Sequence, residues 1–129
     1  MKNQNSVLIV EDEPILLEMM ASAIERMGYE PIRAATVEDG IKSLSSMDCR
    51  PLCVVSDFEI GDHKMGGAEI ARATRVRFDC PVILATGNLI DETLKLACQA
   101  DEYLQKPSGL VHLRETILRL LASKQALAA

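Results

Sequence analysis

Four short apolar runs, each of strand length and each ending in a chemically useful group, constrain this chain more than any other feature. Leu52-Cys-Val-Val-Ser-Asp57 is the clearest, because the run stops abruptly at a carboxylate. Val7 to Val10 leads into Glu11 and Asp12, Val82 to Ala85 into Thr86, and Tyr103 to Leu104 into Lys106. A continuous apolar run suits a strand covered on both faces, as in a parallel sheet. A single fold would bring all four ends together.

The segments between these runs have helical periodicity. Pro14 fits a first helical position, and Leu16, Met20, Ala23, Ile24 and Met27 recur at helical spacing until Gly28, a good residue just past a helix end. Tyr29 to Ala35 is a weaker strand, placed at a sheet edge by Pro31, which has no N–H to donate to a ladder. Thr36 with Asp39 resembles a cap for a second helix with the face Val37, Ile41 and Leu44, ending near Met47. Asp57 to Gly67 reads as a long polar loop containing Gly61, Gly66 and Gly67, able to act as a lid beside the carboxylate. A third helix over Ala68 to Arg77 and a strand over Pro81 to Ala85 follow. Thr86-Gly-Asn then leads to a fourth helix that starts with Asp91 and Glu92, acids favoured at its positive end. After a fifth strand at Glu102 to Leu104, Ser108 can cap a last helix with Leu110, Leu113, Ile117, Leu120 and Leu121 on one side. Arg119 and Lys124 suit the dipole of that helix, and Leu127 to Ala129 should fray.

Five strands alternating with five helices imply an α/β fold, a parallel sheet with helices on both faces, because right-handed crossovers leave few other solutions. Ligands of such sheets bind beyond the carboxyl ends of the strands, near the point where strand order reverses. Glu11, Asp12, Asp57, Thr86 and Lys106 all fall at those ends. At 129 residues the chain fits one domain spanning positions 1–129. A net charge of −5 argues against a binder of the nucleic-acid backbone, and Arg72 to Arg77 holds only three arginines. The polar start, Met1 to Ser6, matches neither a signal peptide nor a membrane span, so a cytoplasmic location without membrane insertion is expected. Cys49, Cys53, Cys80 and Cys98 lack metal-ligand spacing and are expected as buried, reduced thiols.

Three carboxylates converging on one point repel each other unless a cation is present, and an all-oxygen site of this kind suits Mg²⁺. Lys106 adds a fixed positive charge. An aspartate beside a divalent cation, an ammonium and a hydroxyl is equipped to attack a phosphoryl group: metal and Lys106 neutralise its oxygens, Thr86 hydrogen-bonds one, and Asp57 is the nucleophile. The product would be an aspartyl phosphate. Taken singly, each residue has a plainer role. Glu11 and Asp12 could cap the first helix, Asp57 could be a loop acid, Thr86 a turn hydroxyl and Lys106 a solvated charge. Joint placement at strand ends favours the site. His63 and His112 are expected to be solvated, and the methionines, including Met19, Met20 and Met27, to fill the core.

Val10-Glu-Asp-Glu-Pro14, Ser56-Asp57, Ala85-Thr86-Gly87 and Tyr103-Leu-Gln-Lys106-Pro107 together resemble the receiver domain of two-component response regulators, over essentially the whole chain. The resemblance implies a flavodoxin-like three-layer sandwich of strand order 2-1-3-4-5. It also implies phosphotransfer to Asp57 from a phosphohistidine on a sensor histidine kinase or a histidine phosphotransfer protein. Mg²⁺ would be bound by Asp12, Asp57 and the backbone carbonyl of Glu59, with Glu11 acting mainly through metal-bound water. Thr86 would swing toward the phosphate and Tyr103 turn inward behind it, a two-state element biased by a local charge change. The fourth helix, fifth strand and last helix would then present an altered surface around Lys95, Gln99 and Tyr103 to an effector domain or downstream protein. Such a chain is a signalling module, not a turnover enzyme.

The chain departs from the family pattern in places. Gly61 stands where proline is usual, and Gly66-Gly67 lies farther from Asp57 than the usual glycine, which suggests a longer and more mobile loop. Ser108 replaces a large apolar residue, Gln99 replaces a common glycine, and Glu59 with Asn88 should influence dephosphorylation. Two other readings remain. A phosphatase of haloacid-dehalogenase type wants a second aspartate where this chain has Glu59, and a flavin-binding flavodoxin wants a hydroxyl- and glycine-rich phosphate loop after the first strand.

Overall fold

The apolar runs become central strands because helices cover both of their faces. In the computed structural model, which describes residues 5–106 and 109–128, ten elements alternate. They are β1 (Ser6–Val10), α1 (Pro14–Arg26), β2 (Glu30–Ala34), α2 (Val37–Ser46), β3 (Cys53–Asp57), α3 (Gly66–Arg77), β4 (Val82–Thr86), α4 (Glu92–Cys98), β5 (Glu102–Gln105) and α5 (Leu110–Ala128). All strand pairs are parallel, in the order β2-β1-β3-β4-β5. Pro31 lies in β2, at the edge as expected. The chain passes from β1 to β2 on one side and then to β3 on the other, so strand order reverses between β1 and β3.

Alternate residues of each strand enter different cores. Val7 and Ile9 of β1, with Val55 of β3 and Ile83 of β4, meet Leu17, Met20, Ala21 and Ile24 of α1 and Leu113 and Ile117 of α5. Leu8, Val10, Val54 and Leu84 face the other way, onto Val37 and Leu44 of α2, Ile70 and Ala71 of α3 and Leu94 of α4. Each fully buried Leu, Ile or Val contributes about 1.5–3 kcal/mol relative to an exposed one. Two helical layers around one sheet therefore explain runs with no polar alternation.

Helix ends follow their sequence signals. Pro14 opens α1, and Gly28 takes the left-handed backbone, φ +91°, two residues past its end. The Thr36 hydroxyl accepts from Asp39 N at 3.0 Å, and the Asp91 carboxylate accepts from Leu94 N at 3.0 Å. Gln99 ends α4 with φ +52°, a conformation glycine adopts more easily. The Arg75 guanidinium donates to the carbonyls of Cys98 and Gln99 and helps hold that turn. The Ser108 cap lies outside the described residues, as do the Lys124 side chain and Ala129. Fraying from Leu127 is not seen, since α5 continues through Ala128.

Several expectations need correction. The stripe α1 buries is Leu17, Met20, Ala21 and Ile24, spaced i, i+3, i+4, i+7, while Met19 is 48% exposed and fills no core. On α2, Gly40 is buried where Ile41 was expected to point inward. The segment after Asp57 is no polar lid. Phe58 and Ile60 are buried, Ile60 and His63 exchange two backbone hydrogen bonds (3.0 and 2.9 Å), and Gly67 N donates to Phe58 O at 2.7 Å. Helix α3 consequently begins at Gly66 instead of Ala68. His63 is also not simply solvated: its Nδ1 lies 2.9 Å from a Glu69 oxygen and its Nε2 3.1 Å from a Glu38 oxygen. Donating through both nitrogens requires the imidazolium, and the two acids, Glu69 first, hold its pKa above the ordinary value.

The glycine pair has a packing role. A Cβ on Gly67 would stand 2.8 Å from both Asp57 O and Phe58 Cα, backbone atoms that cannot yield. Only glycine lets α3 start against the strand end that carries Asp57. Gly67→Ala should therefore lower unfolding free energy by roughly 1–3 kcal/mol, read from urea midpoints. Gly87→Ala, whose added Cβ meets nothing within 4 Å, should stay within about 0.5 kcal/mol of the parent.

Candidate functional site

Parallel alignment delivers four strand ends to one edge, and the residues just beyond them form the site. Glu11 N donates to Ala34 O at 3.0 Å, which extends the β1 ladder by one residue and leaves Glu11 buried. Asp57 is the last residue of β3, paired in register with Ala85. Lys106 N donates to Thr86 O at 2.7 Å, so Lys106 enters the site directly from β5. Its Nζ lies 2.9 Å from Asp57 Oδ2 and 3.7 Å from Glu11 Oε1. Ligand oxygens of Glu11, Asp12 and Asp57 all lie within 4.8 Å of one another. Five residues expected to converge are brought to one edge.

The capping alternative for Glu11 and Asp12 fails. The N-cap of α1 is Glu13, which makes no side-chain cap, and Glu11 Oε2 accepts from Glu13 N at 3.2 Å. Asp12 reaches away from the helix to accept from Gly61 N at 3.0 Å. That bond binds the β3–α3 loop to the end of β1.

Thr86 is buried, and its hydroxyl accepts from Asn88 N at 2.9 Å. Asn88 Nδ2 donates to Glu59 Oε1 at 2.9 Å, closing a bridge between the loops after β3 and β4. The Tyr103 hydroxyl accepts from Ala100 N at 3.0 Å and donates to Lys95 O at 3.4 Å, which places it at the end of α4. Sequence reasoning missed two participants. Gln105 Nε2 donates to both Thr86 O and Asn88 O, each at 3.0 Å, and pins the turn that carries the Thr86 hydroxyl. Gly61 supplies a backbone N–H. Neither role leaves a compositional trace, although Gln105 adjoins Lys106.

A cluster of three acids, from buried Glu11 to exposed Asp12, with one ammonium at the switch point of a parallel 2-1-3-4-5 sheet is the arrangement of phosphoryl-accepting signalling domains. The chain belongs to the response regulator receiver domain family, whose model matches residues 7–118. It is 34% identical over 119 residues to the sensory transduction protein RegX3 of Mycobacterium tuberculosis, an alignment covering 91% of this chain and 49% of that protein. To the transcriptional regulatory protein AruR of Pseudomonas aeruginosa it is 29% identical over 128 residues, covering 93% and 52%. The chain thus spans about half the length of these curated relatives. Among solved structures it superposes on a CheY-like receiver domain protein from Methanospirillum hungatei with a TM-score of 0.83 at 25% identity, covering 96% of this chain and 98% of that one. The receiver domain of a signal transduction histidine kinase from Syntrophus aciditrophicus gives 0.76 at 30% identity, covering 92% and 91%. The chain is a receiver domain of two-component response regulators, and the dehalogenase-type reading receives no support. No helix among the described residues is long and apolar enough to cross a membrane. All four cysteines are thiols, and Cys53, Cys80 and Cys98 are buried.

The site is electrostatically unbalanced. Burial, and next the charge of Asp57, push the Glu11 carboxyl up to about 7, against the opposing pull of Glu13 N–H and Lys106. Burial also raises Asp57, with Lys106 opposing. Burial pulls the Lys106 ammonium down, but Asp57, Glu11 and Asp12 outweigh it and hold the net value above the ordinary one. Lys106 is charged, and one cation faces three acids. An acid whose folded pKa lies above its unfolded value loses stability as pH rises between the two, here from 4.5 to about 7. Ionised Glu11 thus costs stability at pH 8, by at most about 3 kcal/mol and less where solvent screens it. Without divalent cations, Glu11→Gln should unfold at higher urea at pH 8, by roughly 1–3 kcal/mol, and the gain should shrink toward pH 5.

Proposed function

We propose that residues 1–129 act as one receiver unit that takes a phosphoryl group from a phosphohistidine donor onto Asp57 and thereby reshapes a partner-binding surface. The supporting observation is the 2.9 Å contact of Lys106 Nζ with Asp57 Oδ2 inside a trio of carboxylates. Those donors fit Mg²⁺: they are hard oxygens, crowded, and poorly neutralised by one lysine. Asp12, Asp57 and the Glu59 carbonyl would hold the ion, with Glu11 behind them. When bound, it supplies positive charge at the phosphoryl oxygens.

In this reading Asp57 Oδ1 forms the new bond to phosphorus, while the P–N bond of the donor breaks. The departing imidazole keeps the electron pair and takes a proton from solvent. Lys106 stays protonated and moves its hydrogen bond from Asp57 Oδ2 to a phosphoryl oxygen. Thr86 already accepts from Asn88 N, so its own hydroxyl proton is available to a second phosphoryl oxygen once the side chain turns. Tyr103 would then exchange its contacts with Lys95 O and Ala100 N for an inward position, altering the α4–β5–α5 face around Lys95, Gln99 and Tyr103. The Glu59–Asn88 bridge joins the loops that follow Asp57 and Thr86. Standing beside the acyl phosphate, the pair should influence its lifetime.

The donor is a sensor histidine kinase or a histidine phosphotransfer protein. The receiver of the altered face is an effector domain or downstream protein, in keeping with relatives about twice as long. The setting is cytoplasmic, and nucleic acid is not contacted directly by this net-negative domain.

Incubation with Mg²⁺ and acetyl phosphate should add one phosphoryl group, labile to base and absent in Asp57→Ala. Retention of the added mass in that variant would overturn the assignment. Thr86→Ala should still accept the phosphoryl group but lose roughly tenfold of its phosphorylation-dependent gain in partner affinity, about 1.4 kcal/mol, measured by titration of the partner.

A further inference from the structure

A cavity of about 470 Å³ lies between α1, α5 and the carboxyl ends of the central strands. Its walls are aliphatic: Leu16 and Met20 from α1, Val55 and Leu104 from the sheet, and Leu113 from α5. Four of these five are buried, while Leu110 and Gly109 at its rim are partly or fully exposed, so the space reaches into the core and opens to solvent on one side. Glu11 and Lys106 also line it. This volume, an apolar lining and a few polar groups are what small-molecule sites have in common.

The two polar groups restrict the ligand. Lys106 Nζ is a donor and Glu11 Oε1 an acceptor, and at 3.7 Å they stand too far apart to satisfy each other fully. A carboxylate ligand would meet Lys106 but would also face Glu11 and Asp57. An amine would find Glu11 but oppose Lys106. A hydroxyl adds no charge, accepts from the ammonium and donates to the carboxylate. We propose that this cavity is a binding site for a small uncharged molecule with an apolar body and one hydroxyl, an alcohol or a phenol, seated with that hydroxyl between Glu11 and Lys106. Such a ligand draws on the same Lys106 that holds Asp57. If Asp57 accepts phosphate as proposed above, occupancy should also slow that reaction.

The test is binding, and it does not depend on phosphorylation. Phenol is titrated into the whole chain at pH 8, where Glu11 is ionised, while methyl NMR signals are followed, with benzene as the matched probe that lacks the hydroxyl. The expected result is saturable phenol shifts at Leu16, Met20, Leu104 and Leu113, with benzene binding roughly fivefold more weakly for want of its hydrogen bonds. Ala85→Leu, which places bulk in the cavity lining, should abolish the phenol shifts. Absence of saturable shifts in the parent protein overturns the site, and equal binding of benzene and phenol overturns the ligand class. Folded Ala85→Leu that still binds phenol at this position also overturns it. If phenol fails to bind while acetyl phosphate still modifies Asp57, only the cavity proposal falls.

Discussion

The structure depends on one electrostatic conflict: three carboxylates share a pocket with a single ammonium. Glu11, Asp12 and Asp57 meet because β1 and β3 are adjacent and parallel, and Lys106 joins them because β5 ends at the same edge. Burial of Glu11 sharpens the conflict there, since a low-dielectric setting strengthens repulsion and removes water that would screen it, whereas Asp12 remains exposed. Lys106 relieves part of it through Asp57. Burial first, and then the remaining repulsion from Asp57, hold the Glu11 carboxyl above its ordinary value.

Several neutral groups near this cluster hold it in place. The loop after β3 is anchored by buried Phe58 and Ile60, which allows Gly61 to present its N–H to Asp12. Gly67 brings the first turn of α3 against the backbone of Asp57 and Phe58, an approach any side chain would block. On the opposite flank, the Gln105 amide fixes the turn after β4 and, through it, the Thr86 hydroxyl. Thr86 and Tyr103 are held by neutral hydrogen bonds, each worth about 1 kcal/mol, and Asn88 also donates to the Glu59 carboxylate.

Most of the architecture was legible before any coordinate. Continuous apolar runs announced strands covered on two faces, Pro31 announced the edge, and the Thr36 cap and the acids Asp91 and Glu92 announced helix starts. Errors came where one residue could satisfy two patterns. Gly66-Gly67 looked like loop flexibility but is close packing, which only a neighbouring backbone can reveal. Met19 and Met20 are equally apolar, and which of them faces the sheet depends on the rotation of α1 against α5. Likewise His63 looked solvated because Glu38 and Glu69 are distant or unremarkable in sequence.

The sequence by itself determined the alternation of strands and helices, the two-sided burial of the sheet and the placement of reactive groups at strand ends. Those properties follow from local periodicity and from the backbone limits of proline and glycine. Tertiary structure alone decided the distances: 2.9 Å from Lys106 to Asp57, the reach of Asp12 to Gly61, and the cavity beneath Glu11. Coulomb energy and hydrogen bonding vary steeply over an ångström, whereas hydrophobic patterning is indifferent to that scale.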